Sequence, residues 1–386
     1  MKRQIICLSH LLLLSVLLVG CVEEFEANLP PSETIIPVVE GTIVSDSACV
    51  FTFSRTVALD AGAWEPTAYG IKNVNMSVHG DDGSSWPAQW IDGGRYVVNV
   101  GHLNPSVAYH IEFAWNGNKY TSTPAYPLST PAITNLRAEH STWEPNMNVF
   151  LSADAAEEGC YFWSFDECWE INTPYVVSYL YDLENDCIIP KALYQGRGWC
   201  YNTRLPMIGT SDDYGGAGLA DTHMLSIYCH DNRFNTLYSV LVTQRAVSRA
   251  EYEHEHLLEQ QSYEMGGLFT PLPSTLPGNI RCTNNPDLQV IGFVGVSAGT
   301  TCRRLFISSK EAGYVLQRTP HELTDDEIGE LTWAELYKRG FRVHTYSEIL
   351  GVKWTYRWCN DCTDPYWGAT RNRPDFWPDD EEDDDE

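Results

Sequence analysis

Basic residues and long apolar runs are both scarce in this sequence of 386 residues. Lysine and arginine number 25 against 52 aspartate and glutamate residues, which gives a formal net charge of −27. Such an acidic chain repels nucleic acid and anionic lipid surfaces, so we expect no nucleic-acid partner. Beyond residue 20, no stretch reaches the roughly 18 apolar residues that a membrane-spanning helix requires.

Common catalytic motifs are missing as well. The sequence has no phosphate loop, no GxGxxG fingerprint and no HExxH zinc motif. The segment Gly295-Val-Ser297-Ala-Gly299 does match the GxSxG nucleophile elbow. That elbow needs a strand, a sharp turn and then a helix, but the strand-like segment CRRLFIS follows here instead. We therefore expect no enzymatic activity, no catalytic residue and no cofactor.

What is present begins with an export signal. Two basic residues, Lys2 and Arg3, precede an apolar core over residues 5–19, which is too short for an ordinary membrane span. A lipobox ends this segment and consists of Leu18, Val19 and Gly20, followed by Cys21. We expect removal of residues 1–20, then a diacylglycerol on the Cys21 thiol and an acyl chain on its amine, enough chains for stable anchoring. The alternative is a plain signal peptide cut at a small-x-small site.

Acidic residues follow the predicted lipid anchor directly. They are Glu23, Glu24 and Glu26. Such a cluster resembles the surface-export signal of Gram-negative lipoproteins, so we expect an outer-membrane protein that faces the cell exterior. The alternative is a solvated tether, which acidic residues also favour. Loss of the two positive charges of Lys2 and Arg3 changes the net charge from −27 to −29.

Ten cysteines lie beyond the predicted anchor. An even number of cysteines in an exported protein favours disulfides. The pair Cys359-x-x-Cys362 also has the spacing of zinc ligands, but no second CxxC or HxxxH pair accompanies it. His254 and His256 are two residues apart, so on a helix they do not share a face. We therefore prefer disulfides to a metal site.

The predicted fold is mainly β, with an N-terminal immunoglobulin-like β-sandwich and a larger β-rich domain that contains one or more helices. In the first domain, Asn116-Gly117 is a strong hairpin signal, and Ile111, Phe113 and Trp115 share a strand face. The predicted segments are a signal peptide (1–20), a tether that includes the lipidated cysteine (21–36), the sandwich (37–123), a linker (124–135), the β-rich domain (136–377) and a disordered acidic tail (378–386).

Four patterns organise the second domain. The segment CYFWSFDECWEI places aromatic residues on one strand face, and DLQVIGFVGVSA with TCRRLFISS is typical of a hairpin. Ser248 and Glu251 form a capping box before a helix that should end at Gly266-Gly267. Two further capping boxes, at Thr324 and at Thr332, predict short helices.

Three segments resemble one known family. They are GGLFTPLPS (266–274), NIRCTNNPDLQVIGFVGVSAG (279–299) and CNDCTDPYWGATRNRPDFW (359–377). The chain resembles the lipoprotein family called domain of unknown function 4249, over about residues 37–377. Residues 311–358 depart from the family pattern, since they are longer and more helical than expected, and so does the acidic tail.

The resemblance implies a location and a partner. Members of this family look like outer-membrane lipoproteins that are often encoded beside TonB-dependent transporters. We therefore expect an accessory or ligand-capture partner of such a transporter in nutrient uptake, with an unknown small ligand. The alternatives are a structural or adhesive surface protein and, third, a surface hydrolase. The resemblance gives no catalytic residue.

Two modifications of the exported chain are candidates. Asp46-Ser47-Ala48 resembles the short acceptor for O-linked glycans, which makes Ser47 a candidate glycosylation site; the alternative is a chance match of three residues. The resemblance also implies that Cys200, Cys282, Cys359 and Cys362 form two disulfides of undetermined pairing.

Peptide mapping under non-reducing conditions tests the disulfide prediction. If the four cysteines form two disulfides, no peptide with any of them should react with a thiol-specific alkylating reagent before reduction. All four should react after reduction. Recovery of any of the four as an alkylated thiol from the unreduced protein counts against the prediction.

Overall fold

The computed structural model describes residues 35–56, 69–212, 216–264, 278–349 and 351–379. The fold is mainly β, as the sequence predicts, with few and mostly short helices among these residues. The predicted signal peptide and lipid anchor lie outside the described residues, as do GGLFTPLPS and residues 380–386 of the acidic tail.

Twenty strands form within the described part of the chain. The first eight are β1 (Pro37–Val44), β2 (Ser47–Arg55), β3 (Asn75–Gly80), β4 (Ser85–Pro87), β5 (Gln89–Asp92), β6 (Arg95–Val100), β7 (Tyr109–Trp115) and β8 (Asn118–Ser122). The next seven are β9 (Ile133–His140), β10 (Asn146–Ala153), β11 (Cys160–Asp182), β12 (Cys187–Thr203), β13 (Met207–Thr210), β14 (Leu219–Tyr228) and β15 (Leu237–Val247). The last five are β16 (Ile280–Cys282), β17 (Val294–Ser297), β18 (Thr301–Ser308), β19 (Phe341–Ser347) and β20 (Gly351–Tyr356).

Two five-stranded sheets enclose the N-terminal core. Their strand orders are β17-β1-β2-β6-β5 and β16-β8-β7-β3-β4. Alternate residues of each strand point inward, so Val39 and Phe51 from one sheet and Ile111 and Phe113 from the other share one core. Burying this apolar surface is the main stabilising term of the sandwich. The immunoglobulin-like topology stays a prediction.

The predicted hairpin at Asn116-Gly117 is confirmed. These two residues join β7 to β8, and both have positive φ angles, 49° and 77°. Two successive residues with positive φ form the turn whose twist matches that of the flanking strands. Of the three residues predicted to share a face, Ile111 and Phe113 are buried and Trp115 packs against the same core.

A second pair of sheets encloses the largest core. One sheet has the order β14-β10-β9 and the other β12-β11-β15-β18, with β13 also paired to β11. The predicted aromatic face of β11 is confirmed, because Tyr161, Trp163 and Phe165 are almost completely buried in this core. Strand β9 begins at Ile133, inside the predicted linker.

The chain returns from the second pair of sheets to complete the first. Strand β17 pairs in parallel with β1, and β16 pairs with β8. The predicted hairpin of DLQVIGFVGVSA with TCRRLFISS is therefore wrong, since β18 pairs with β15 instead. All four residues of β17 are buried, a pattern typical of a parallel strand covered on both faces rather than of an exposed hairpin arm.

Four α-helices lie in the described residues: α1 (Arg249–Glu264), α2 (Ser309–Ala312), α3 (Asp325–Ile328) and α4 (Trp333–Lys338). The three predicted capping sites are present. The hydroxyl oxygens of Ser248, Thr324 and Thr332 each accept a hydrogen bond from the backbone N–H three residues later, which satisfies an otherwise unpaired donor. No helix in the described ranges is long and apolar enough to cross a membrane.

The return of the chain depends on Gly292. Its φ is +118°, and a Cβ built at this position would lie 1.9 Å from the carbonyl oxygen of Val39 in β1. We predict that Gly292→Ala lowers the free energy of unfolding by about 3 kcal/mol or more, because backbone strain and a backbone clash combine. Chemical denaturation of the purified chain measures this.

Gly83→Ala is the matched control. Gly83 also has a positive φ, +88°, but the space around its position is open. In Gly83→Ala, backbone strain alone should lower the free energy of unfolding by about 1–2 kcal/mol. Equal losses in the two variants would show that the contact with Val39 does not constrain the fold.

Candidate functional site

The structure does not describe the residues predicted for export. These are Leu18, Val19, Gly20, Cys21, Glu23, Glu24 and Glu26. Ser47 is described and is the first residue of β2, directly after Asp46, whose φ is +55°. Its side chain is half-buried in this tight turn. Glycosylation of Ser47 stays a prediction.

The four cysteines predicted to pair lie in two different cores. Cys200, Cys359 and Cys362 are buried together with Trp358 and Trp367, whereas Cys282 lies in the N-terminal core. All ten cysteines of the described residues are free thiols in this structure. In this structure Cys282 therefore has no disulfide partner among the other three cysteines. Peptide mapping is the test of the predicted disulfides.

Ser297 does not lie at a nucleophile elbow. It is the last residue of β17, it is fully buried, and its hydroxyl donates a hydrogen bond to the carbonyl oxygen of Gly299. The extended segment that follows leads into another strand, β18, as the sequence predicts. A serine held in this way cannot present its Oγ to a substrate.

The predicted separation of the two helix histidines is confirmed. His254 is buried against Phe293, whereas His256 stacks on Tyr252 near the surface. Within the described ranges, no three histidine, cysteine, aspartate or glutamate side chains are placed to hold a metal ion together.

Two buried carboxylates on β11 are used inside the protein. Glu167 lies 2.8 Å from Arg204 and accepts hydrogen bonds from Tyr238 and Asn202, both at 2.6 Å. Burial raises the pKa of Glu167, but these three partners outweigh burial and hold the pKa below its ordinary value. Since the carboxylate has three protein partners, it serves the fold rather than a ligand.

Glu170 fixes the C-terminal segment. Its carboxylate accepts a hydrogen bond from the indole N–H of Trp377 at 2.9 Å and pairs with Arg197. Trp377 is buried and packs edge-on against Phe306. The PDFW sequence near the end of the chain therefore closes the outer face of the sheet that contains β11.

A charged cleft is built on a long hairpin. Strand β15 pairs with β11 only as far as Trp169, so the remaining half of β11 extends beyond the sheet with β12 alone. Tyr181 of this extension packs against Val343 and Trp354 from the β19–β20 hairpin. The hydroxyl of Tyr181 donates to Asp186 at 2.7 Å, and this hydrogen bond raises the pKa of Tyr181 to about 12.

A cleft of about 190 Å³ opens beside this contact. We call it the hairpin cleft, and its principal lining residues are Tyr181, Lys191, Tyr194, Tyr337, Arg342 and Arg371. Helix α4 contributes Tyr337 to the lining, and β12 contributes Lys191 and Tyr194. Three cationic side chains thus face one small space in a strongly acidic chain.

The positive charge of the hairpin cleft is only partly neutralised. Asp361 also lines the cleft, but it pairs with Arg357 at 2.9 Å and with Arg371 at 3.4 Å. Among the described residues, neither Lys191 nor Arg342 has a carboxylate within 4.0 Å. Such unpaired cations in a partly buried site favour a negatively charged ligand.

Three larger cavities have less specific chemistry, and that of about 390 Å³ at β7 and β8 contains one residue of each charge, Glu112 and Lys119. The hollow of about 710 Å³ around Trp377 contains Glu170 and Arg197, whose charges already pair with each other. The hollow of about 570 Å³ between the two sandwiches is lined by Glu157, Glu158 and Glu253, and its wall at Gly278 adjoins residues 265–277, which the structure does not describe. The hairpin cleft is therefore the best-defined candidate site.

The sequence contained no signal for this cleft. Lys191, Arg342 and Arg371 are widely separated along the chain and belong to no motif. They meet because β12, β19 and the C-terminal segment pack against the extension of β11. The departure of residues 311–358 from the family pattern was the one available hint, since Arg342 lies there.

Comparison with known proteins gives one match. A family model described as a domain of unknown function, number 4249, matches residues 22–303. The match includes β1 to β17, and with them the whole of the long hairpin, and it ends before the segment that supplies Tyr337, Arg342 and Arg371 to the hairpin cleft. No curated protein matches the chain.

The lowered pKa of Glu167 predicts a part of the acid sensitivity. Because its folded pKa lies below the unfolded value, its contribution to stability is present above about pH 4.5 and is lost as the pH falls through the folded pKa. We predict that Glu167→Gln lowers the free energy of unfolding by about 3 kcal/mol at pH 7, because Arg204 loses its partner. On acidification, the free energy of unfolding of this variant should then fall less than that of the wild type.

Urea denaturation at pH 7 and at pH 3.5 measures both effects. Glu184→Gln is the control, because Glu184 is an exposed residue of the β11–β12 turn without an ion pair in the described structure. This control should follow the wild type at both pH values. A Glu167→Gln variant that also follows the wild type would show that the buried pair does not contribute.

Proposed function

Since this chain belongs to the family called domain of unknown function 4249, we propose that it is a lipid-anchored protein of the outer-membrane surface that captures a small ligand for a TonB-dependent transporter. The observation that supports capture is the hairpin cleft, where Lys191 and Arg342 lack acidic partners among the described residues. A ligand that supplies the missing negative charge would be held there by charge-assisted hydrogen bonds.

The proposed location rests on the first part of the sequence. The lipobox that ends at Cys21 supports a lipid anchor, and the acidic residues behind it support export to the cell exterior. Fifteen residues, 22–36, lie between Cys21 and the start of β1 at Pro37. Fifteen residues reach at most about 50 Å even when fully extended, which keeps the folded part close to a membrane partner.

We propose a binding role rather than catalysis. Glu167 and Glu170 are held in internal contacts, and Ser297 is buried against Gly299. The hairpin cleft contains cations and phenol rings, and its one carboxylate, Asp361, is shared by two arginines. This arrangement suits recognition of charge better than general acid–base chemistry.

A structural or adhesive surface role is the second candidate. The outward face of the long hairpin supports it, because Val176, Leu180 and Ile189 are 46%, 38% and 40% exposed, and the nearby Leu193 is 80% exposed. Leu180 and Ile189 are direct partners across the hairpin. Adjacent exposed apolar side chains are typical of a surface that contacts another protein.

A pull-down from detergent-solubilised outer membrane distinguishes the two roles. We predict that the tagged chain brings down a TonB-dependent transporter in a stoichiometric amount, identified by mass spectrometry. Cys21→Ala is the matched control, because without its lipid the chain should leave the membrane fraction and lose the partner.

Recovery of the chain alone, from an extract in which other membrane complexes survive, would contradict the uptake role and favour the adhesive one. Retention of the Cys21→Ala variant in the membrane fraction would contradict the lipid anchor. The two results are independent, so each part of the proposal is tested separately.

A further inference from the structure

We infer that the hairpin cleft recognises its ligand through an oxyanion group, a carboxylate or a phosphate, held by Arg342 and Lys191. This inference rests on the proposed capture function and names the class of ligand for the same site. It follows from the geometry of the two cations, the surrounding charge and the size of the cleft.

Arg342 is fixed with part of its guanidinium still open. Its Nη1 donates to the carbonyl oxygens of Tyr337 at 3.0 Å and Phe341 at 2.7 Å, and its guanidinium lies 4.0 Å from the centre of the Tyr337 ring. Among the described residues, Nε and Nη2 have no protein acceptor. These two donors can therefore contact an oxyanion, which a guanidinium binds through two parallel hydrogen bonds.

The surroundings of Arg342 make such a ligand favourable. Burial lowers the pKa of Arg342, so the half-buried charge is incompletely compensated by the protein. The carboxylate of Asp361 already pairs with Arg357 and Arg371. An incoming anion would restore part of the electrostatic stabilisation that the guanidinium lost when it left water.

Lys191 of β12 supplies the second cation of the hairpin cleft. The pairing of β12 with β11 shifts in register between Val177 and Tyr179, which places Lys191 in an irregular stretch of the hairpin. Its ammonium lies 4.4 Å from the centre of the Tyr194 ring, a contact that holds the charge at the cleft. An oxyanion in the cleft would therefore be attracted by Lys191 as well as by Arg342.

The size and charge of the protein restrict the ligand further. The volume of about 190 Å³ is below the roughly 300–1,000 Å³ usual for sites that enclose a drug-sized molecule. The net charge of −27 disfavours nucleic acids and other large polyanions. We therefore assign a compact monoanion or dianion, or the acid end of a longer molecule, to the hairpin cleft.

Calorimetric titration of the purified full chain tests this assignment with three sugars that differ in charge. The probes are galacturonate, galactose 6-phosphate and neutral galactose. We expect at least one of the two anions to bind with one-to-one stoichiometry and neutral galactose to bind at least tenfold more weakly. Preference between the two anions identifies carboxylate or phosphate as the group recognised.

Variants of the two cations locate the binding. Lys191→Met should raise the dissociation constant of the preferred anion by about tenfold or more, because a hydrogen bond to a charged group is lost. Lys72→Met is the matched control, since Lys72 is an exposed lysine of the N-terminal sandwich, and it should bind as the wild type does. Arg342→Lys keeps the charge but removes the fork, so it should also weaken binding.

Nη1 of Arg342 makes a structural contact, so the Arg342→Lys variant can fail to fold. In that case Lys191→Met is the decisive variant, because Lys191 is exposed and its replacement leaves the fold intact. Equal binding of galactose and the anions, absence of binding by both anions, or an unchanged affinity in Lys191→Met would each overturn the inference. If the transporter is recovered in the pull-down, any of these results would overturn only the assigned class of ligand, and the capture role would remain. If the transporter is also absent, the capture role would be contradicted as well.

Discussion

One strand, β11, contributes to four separate apolar cores. Tyr161, Trp163 and Phe165 lie in the core of the second sandwich, Cys168 lies under Trp377, Ile171 packs with Trp358, and Tyr181 packs with Trp354. A strand of 23 residues is much longer than the usual five or six. The hairpin cleft exists because β11 continues beyond the part of the sheet in which it pairs with β15.

Strand β11 also contains two buried charges. A strand that is covered on both faces leaves little room for exposed polar residues, yet Glu167 and Glu170 lie in its middle. Each is buried only together with arginine partners, as a carboxylate in an apolar environment requires. These pairs specify how β12 and the C-terminal segment lie on β11, whereas Lys191 and Arg342 of the hairpin cleft have no carboxylate partner among the described residues.

The two sandwiches are joined by the return of the chain through Gly292 and β17. The parallel pairing of β17 with β1 connects residues that are about 250 positions apart, since Gly41 is opposite Val294. Long-range pairing of this kind forms late and slowly, because the closure of a long loop opposes it. The N-terminal sheets are thus complete only when β16 and β17 have joined them.

Local signals in the sequence determined much of the secondary structure. The Asn116-Gly117 turn, the Ser248, Thr324 and Thr332 caps and the buried aromatic face of β11 depend on neighbouring residues, so the sequence alone predicted them. Tertiary structure decided the rest. The partner of β17 and the meeting of Lys191 with Arg342 depend on contacts between distant segments. Hydrophobic periodicity shows which face of a strand is buried, but it does not specify the strand that will cover it.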